Sequence, residues 1–285
     1  MSTPNLNPEI ASICEQMESF EAPKSLANTG TGSRLEGSEF ESLVQQMWNA
    51  FSELCCANGA KREERLGARF RKKLVWHRRI FHELTVGERQ LIVPYKDELD
   101  ERARMTGEPD QSWLETEYTV HSLVENFPGK DKVIRDYAPS KGRFAEKAYP
   151  SMYDGMSTGF DDTVLLVKAG ALHEKILLEY KTAKSSNRRQ VDGNAHERLS
   201  FQIMQYLEVA TRYTQCSLMI LANGAFVRYK NKYHVNFHIQ AERLKKFPWF
   251  TMEYACTQPE YQKFLSGLLL WLFNDKPRSG VAAVD

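Results

Sequence analysis

At 285 residues the chain is long for one domain and short for two full ones. Its composition, 42% hydrophobic with five Trp and fifteen Phe, is enough for a sizeable core. A formal net charge of +1 carries no general polyanion signal, so any nucleic-acid surface has to come from local asymmetry.

Cys14, Cys55, Cys56, Cys216 and Cys256 are odd in number and lack a C-x-x-C spacing. They read as reduced thiols of a cytoplasmic protein, not as a disulfide framework or zinc site. No basic segment followed by an apolar one marks the start as a secretory signal. The longest apolar stretch, residues 265–273, is too short to span a bilayer. No G-x-x-x-x-G-K-[ST] signature is present, so no nucleotide cofactor is expected.

In chain order, residues 1–33 are rich in Ser, Asn, Thr, Pro and Gly and read as a flexible N-terminal arm. The rest, 34–285, reads as a single domain. From Glu39, the residues Phe40, Leu43, Val44, Met47, Trp48, Phe51 and Leu54 recur at helical spacing. Ser38 stands as the N-cap and Glu41 closes a capping box. Between residues 61 and 79, nine basic side chains face only Glu63 and Glu64; a solvated face and a phosphate-contacting surface both fit such a run. The acid-rich stretch from Asp97 to Glu117 balances it. The whole part over 38–125 is expected to be helical and to contribute to DNA binding.

Residues 126–160 are loop-like, with Pro128-Gly129, Pro139, Gly142, Pro150, Gly155 and Gly159. Two short strands follow, Phe160 to Val167 and Lys175 to Lys181, joined through Gly170 and expected to be adjacent and antiparallel. After a polar loop from Lys184 to His196 comes a helix from about Glu197 to Tyr213, then a strand from Cys216 to Ala222. Asn223-Gly224 predicts a tight hairpin turn into Ala225–Tyr229. Tyr261, Phe264, Leu265, Leu268, Leu269 and Leu272 predict a final amphipathic helix. The fold class is α/β (α+β), a central mixed β-sheet flanked by helices.

The chemistry concentrates on the two strands. Side chains alternate faces along a strand, so Glu179 and Lys181 project together. Asp162 shares a face with Val164 and Leu166, and Asp161 goes with Thr163 and Leu165. One of these aspartates and Glu179 would hold a divalent metal from two sides, with the backbone carbonyl of Tyr180 as a further ligand. Such oxygen donors suit Mg²⁺, with Mn²⁺ as substitute. The metal would polarise a phosphate and acidify an attacking water, and Lys181 would stabilise hydroxide or the developing charge. An acid-x-Lys triplet alone is common and often only an edge-strand salt bridge. Burying Asp, Glu and Lys beside apolar runs without a function would be costly.

Asp162…Glu179-x-Lys181 resembles the motif of the PD-(D/E)xK nuclease superfamily. Gly37-Ser38-Glu39-Phe40-Glu41 resembles the G-x-x-F-E start of the first core helix in many type II restriction endonucleases, where the Glu supports the metal site. Gly159-Phe160-Asp161-Asp162, Glu179-Tyr180-Lys181-Thr182 and Gln202-Ile203-Met204-Gln205-Tyr206 resemble the G-x-x-D, D-Y-K-T and Q-x-x-x-Y motifs of RecB-type nucleases. The resemblance covers residues 36–56 and 155–225. The Pro expected before the motif aspartate is replaced by Phe160-Asp161, so both aspartates stay candidates; the G-x-x-D spacing favours Asp162.

The resemblance implies a restriction-endonuclease-like core of four mixed strands, with a catalytic part at about 150–225. It further implies a Mg²⁺-dependent, site-specific double-stranded DNA endonuclease acting as a homodimer. Asp162, Glu179 and Lys181 would be catalytic, Asp162, Glu179 and Tyr180 the metal ligands, and Glu41, Asp161, Gln202 and Tyr206 supporting. The loop residues Lys184, Ser185, Asn187, Arg188 and Arg189 leave the catalytic strand and would contact DNA. The alternatives are a RecB-like exonuclease or repair nuclease of the same fold, and a non-catalytic nucleic-acid-binding protein. His234 and His238 do not sit in the pattern of an HNH nuclease, and His196 carries no assigned role.

Overall fold

The computed structural model describes residues 6–21, 30–76, 79–95, 161–183, 200–201, 203–204, 206–207, 216–228, 243, 246–247 and 251–274, apart from 61–68. Within the expected arm, Pro8–Ser19 form helix α1. The Asn7 side chain accepts from the Glu9 amide at 2.8 Å, and Pro8 fits the first turn. Ile10, Ile13, Cys14 and Met17 recur at three and four and are all buried. The arm expected over residues 1–33 is therefore corrected across this stretch, which is a core helix. Helix α2 (Gly30–Ala60) begins well before Ser38, so the expected N-cap lies inside a helix. The expected apolar stripe holds: Phe40, Val44, Met47, Trp48 and Phe51 are buried.

Seven strands form one sheet in chain order: β1 (Arg69–Trp76), β2 (Arg79–Val86), β3 (Arg89–Tyr95), β4 (Asp162–Lys168), β5 (Ala171–Lys181), β6 (Cys216–Ala222) and β7 (Met252–Ala255). The first five are antiparallel to their neighbours, and β5, β6 and β7 run parallel. The expectation of a wholly helical part over 38–125 is corrected here. Arg69, Arg71, Lys72 and Lys73 lie in β1 and Arg79 in β2.

β4 and β5 are the expected antiparallel neighbours. Ala169 (φ 51°) and Gly170 (φ 76°) make a two-residue turn between Lys168 and Ala171, the left-handed pair that matches strand twist. Asn223-Gly224 does not make the expected hairpin. Ala225–Arg228 turn once as helix, and β6 pairs in parallel with β7. Helix α3 (Gln258–Asn274) follows, with Glu260 accepting from the Cys256 and Thr257 amides at 2.8 and 3.1 Å. Its predicted apolar residues, Tyr261 through Leu272, are buried as expected.

The alternation of strand side chains splits the core in two. Val164, Leu166, Ile176 and Leu178 pack with residues of α1, α2 and α3. Leu165, Val167, Leu177, Leu218 and Ile220 face the other way, with the helical Ile203 and Tyr206 and with Phe226. The architecture is α+β, a mixed sheet with flanking helices. Among the described residues no helix is long and apolar enough to cross a membrane.

Candidate active site

Register decides which aspartate meets Glu179. Asp162 pairs with Leu178 and Thr163 with Leu177, and directly opposed residues share a face. Leu178 lies in the layer beneath α1, α2 and α3, so Asp162 belongs to that face, whereas Glu179 is on the other, with Leu177. The favoured pairing of Asp162 with Glu179 is thereby corrected. Asp162 instead accepts from the Tyr180 hydroxyl at 3.4 Å.

Extending the register by one residue sets Asp161 across from Glu179. Asp161 Oδ2 accepts from the Tyr180 amide at 2.7 Å, and the Asp161 backbone N–H donates to the Glu179 carboxylate. Asp161, Glu179 and Lys181 thus converge on one face. The ammonium of Lys181 hydrogen-bonds and ion-pairs with Glu179 Oε1.

This cluster is electrostatically loaded. Glu179 is 3% exposed, set there because Ile176, Leu177 and Leu178 draw β5 into the interior on both faces. Burial, reinforced by the Asp161 charge, pushes its carboxyl up from 4.5 to about 7; Lys181 pulls the other way by charge and hydrogen bond. The Lys181 side chain keeps 20% of its surface exposed, so the cluster is closed on the Glu179 side and open at the lysine.

Two converging carboxylates are a donor set that Mg²⁺ accepts, because that ion keeps several waters and takes only one or two protein carboxylates. Among the described residues no group of three or more His, Cys, Asp or Glu is arranged around a metal position. The fit therefore rests on Asp161 and Glu179.

Tyr206, expected to support the site, is fully buried and donates to the carbonyls of Cys216 and Thr251, both at 2.8 Å. Cys216 is in register with Lys175, four residues before Glu179, roughly 13 Å along the strand. The supporting role is thus corrected: Tyr206 ties the starts of β6 and β7. Glu41 is exposed on α2, whose buried stripe packs on the opposite face from Glu179. Gln202, Lys184, Ser185, Asn187, Arg188 and Arg189 lie outside the described residues, as do His196, His234, His238 and the acid-rich stretch from Asp97 to Glu117.

The sequence reading missed Asn223. Its fully buried side chain accepts from the Ala183 amide and donates to the carbonyls of Ala183 and Phe20, at 2.9, 2.9 and 3.0 Å. The only sequence signal was an Asn-Gly pair at a strand end, which reads as a turn. Also missed was the buried pair Ser52 Oγ and His82 Nδ1, 2.8 Å apart, with His82 stacked on Tyr95. Ser52 is wholly enclosed between α2 and the sheet.

No family of known proteins, no characterised protein and no solved structure matches this chain.

Proposed function

We propose that the protein is a Mg²⁺-dependent, site-specific endonuclease of double-stranded DNA, similar to the type II restriction enzymes. Asp161, Glu179 and Lys181 form its catalytic set. One observation carries the reading: two carboxylates and an ammonium converge at the end of a strand pair, with one carboxylate 3% exposed and shifted to about 7. Holding Asp161 and Glu179 together in low dielectric costs stability, and a divalent cation offsets that cost. The strands β3 to β6 support the reading, since they make a four-stranded mixed stretch in which the Asp-bearing strand adjoins the Glu-x-Lys strand. A restriction-endonuclease-like core, centred on about residues 150–225, belongs to the same proposal.

In this mechanism Asp161, Glu179 and the Tyr180 carbonyl would hold Mg²⁺, with Mn²⁺ as substitute. When bound, the cation supplies positive charge to a scissile phosphate and acidifies water. Glu179 would bind the cation as a carboxylate, so its raised carboxyl would have to give up its proton first. Lys181 pairs with Glu179 and meets solvent, so it would stabilise the negative charge that develops on the attacked phosphate. Cutting both strands with one site per chain calls for a two-fold dimer.

The test is digestion of linear and closed circular duplex with Mg²⁺ over a range of salt. Discrete fragments from both forms are expected, whereas an exonuclease leaves the circle intact. Glu179→Gln, Lys181→Ala and Asp161→Asn should each cut at least ~100-fold more slowly while still binding DNA, and Asp162→Asn should stay within a few-fold of the parent. Failure to cut under any of these conditions defeats the proposal. The RecB-like alternative leaned on Gln202 and Tyr206, and Tyr206 is committed to two backbone carbonyls elsewhere.

A further inference from the structure

Beyond Asp161, Glu179 and Lys181, we infer that Asn223 is a positioning residue that holds the exit of the catalytic strand. The inference rests on the nuclease reading for its consequence and on the hydrogen bonds alone for its geometry. β5 ends at Lys181 and β6 at Ala222, in register with each other. Past that point the parallel ladder stops, and the amide and carbonyl of Ala183, which is itself buried, need partners.

The Asn223 carboxamide meets both, with Oδ1 accepting from the Ala183 amide and Nδ2 donating to the Ala183 carbonyl, each at 2.9 Å. A side chain thus continues the ladder after the backbone has left it. The Asn223 amide also donates to the Lys181 carbonyl at 3.2 Å. Its remaining donor reaches the Phe20 carbonyl at 3.0 Å, so the same group pins the chain beyond Lys181 to the end of α1.

Asn223 is 0% exposed, and each of its polar side-chain atoms has a partner in this clamp. Residues 181–183 are held from the end of β6 by Asn223, which is itself anchored to the end of α1. That fixes the backbone from which Lys181 reaches Glu179. Only a carboxamide does this: aspartate keeps the acceptor but would set negative charge against two carbonyl oxygens.

The experiment compares Asn223→Asp and the milder Asn223→Ser with Ser217→Ala. The control removes an equally buried hydrogen bond, Ser217 to Glu174 at 2.6 Å, from the opposite end of the β5–β6 pair. All are assayed well below their melting temperatures for duplex cleavage, Mn²⁺ affinity by calorimetry, and amide exchange at Ala183. The Asn223 variants should lose about ten- to a hundredfold in kcat at unchanged KM for DNA. They should also bind Mn²⁺ several-fold more weakly and exchange Ala183 faster, while Ser217→Ala matches the parent in all three.

Equal losses in Ser217→Ala and the Asn223 variants, or folded Asn223 variants that cut and bind Mn²⁺ normally, overturn the positioning role and leave the nuclease reading standing. Unchanged exchange at Ala183 overturns the clamp itself. A parent protein that neither cuts nor binds Mn²⁺ overturns the nuclease reading, and the positioning role with it.

Discussion

Glu179 is where the cost of the cluster should be measurable without any substrate. Its carboxyl is raised from 4.5 to about 7 by burial and by Asp161. Between those pH values the unfolded chain has released the proton that the folded chain keeps, so this group's contribution to stability falls as pH rises through the window. Above pH 7 the penalty is complete, on the order of 3 kcal/mol. Glu179→Gln removes it and also loses the charged pairing with Lys181. Urea unfolding in EDTA should therefore find the variant more stable than the parent by roughly 1–3 kcal/mol at pH 8, and closer to it at pH 5. A variant less stable at pH 8 would mean that the ion pair with Lys181 outweighs desolvation.

Tyr206 makes the opposite case. Its hydroxyl spans two backbone carbonyls, so Tyr206→Phe should lower unfolding stability by about 1–2 kcal/mol and leave the cleavage rate per folded molecule unchanged. A drop in kcat without a drop in stability would return Tyr206 to the site. The sequence spacing that put Gln202 and Tyr206 one turn apart fixed a helix face. It carried no information on how far along the strands that face sits.

At the scale of elements, alternation and apolar runs told most of the story for β4, β5, β6 and α3, because each is apolar on the faces it buries. The site was legible only to within one residue. Alternation stated correctly that Asp161 and Asp162 point oppositely, but the choice between them depends on the pairing register, which the hairpin turn starts and a one-residue shift between Leu166 and Val167 completes. That turn is the two-residue Ala169-Gly170 pair, with Ala169 at φ 51°. A non-glycine residue there is strained by about 1 kcal/mol, and asparagine tolerates the region better. Ala169→Asn creates an Asn-Gly turn and should raise the unfolding free energy by ~0.5–1 kcal/mol with the Asp161–Glu179 register unchanged. Thermal melting reports the first and retained cleavage the second. β1 was missed because its charge density resembles a solvated helix, and β2 and β3 because the pairing that makes all three a sheet is not a local signal.

For the whole molecule the decisive departure is α1. Its composition suggested an arm, although Ile10, Ile13, Cys14 and Met17 already stood at helical spacing behind an Asn-Pro start. The helix is bound into the fold at several points. Glu18 Oε2 accepts from the Gln258 amide at 2.7 Å at the start of α3. The Glu18 carbonyl accepts from the Gly224 amide at 2.9 Å. Burying four apolar side chains at ~1.5–3 kcal/mol for each large one gives roughly 5 kcal/mol or more, as much as the net stability of many domains. A chain shortened to begin at residue 22 should therefore melt at least roughly 10–20 °C lower or fail to fold, where loss of a loose arm would leave the melting curve in place. Gly224→Ala tests the same packing with one atom. A Cβ there would stand 2.3 Å from the Glu18 carbonyl oxygen, so α1 must move from the sheet end that carries Asn223. If α1 supports the site through that end, Gly224→Ala should lower both stability and cleavage, and α1 should exchange its amides faster. Stability lost with cleavage intact in the folded fraction would confine α1 to the core.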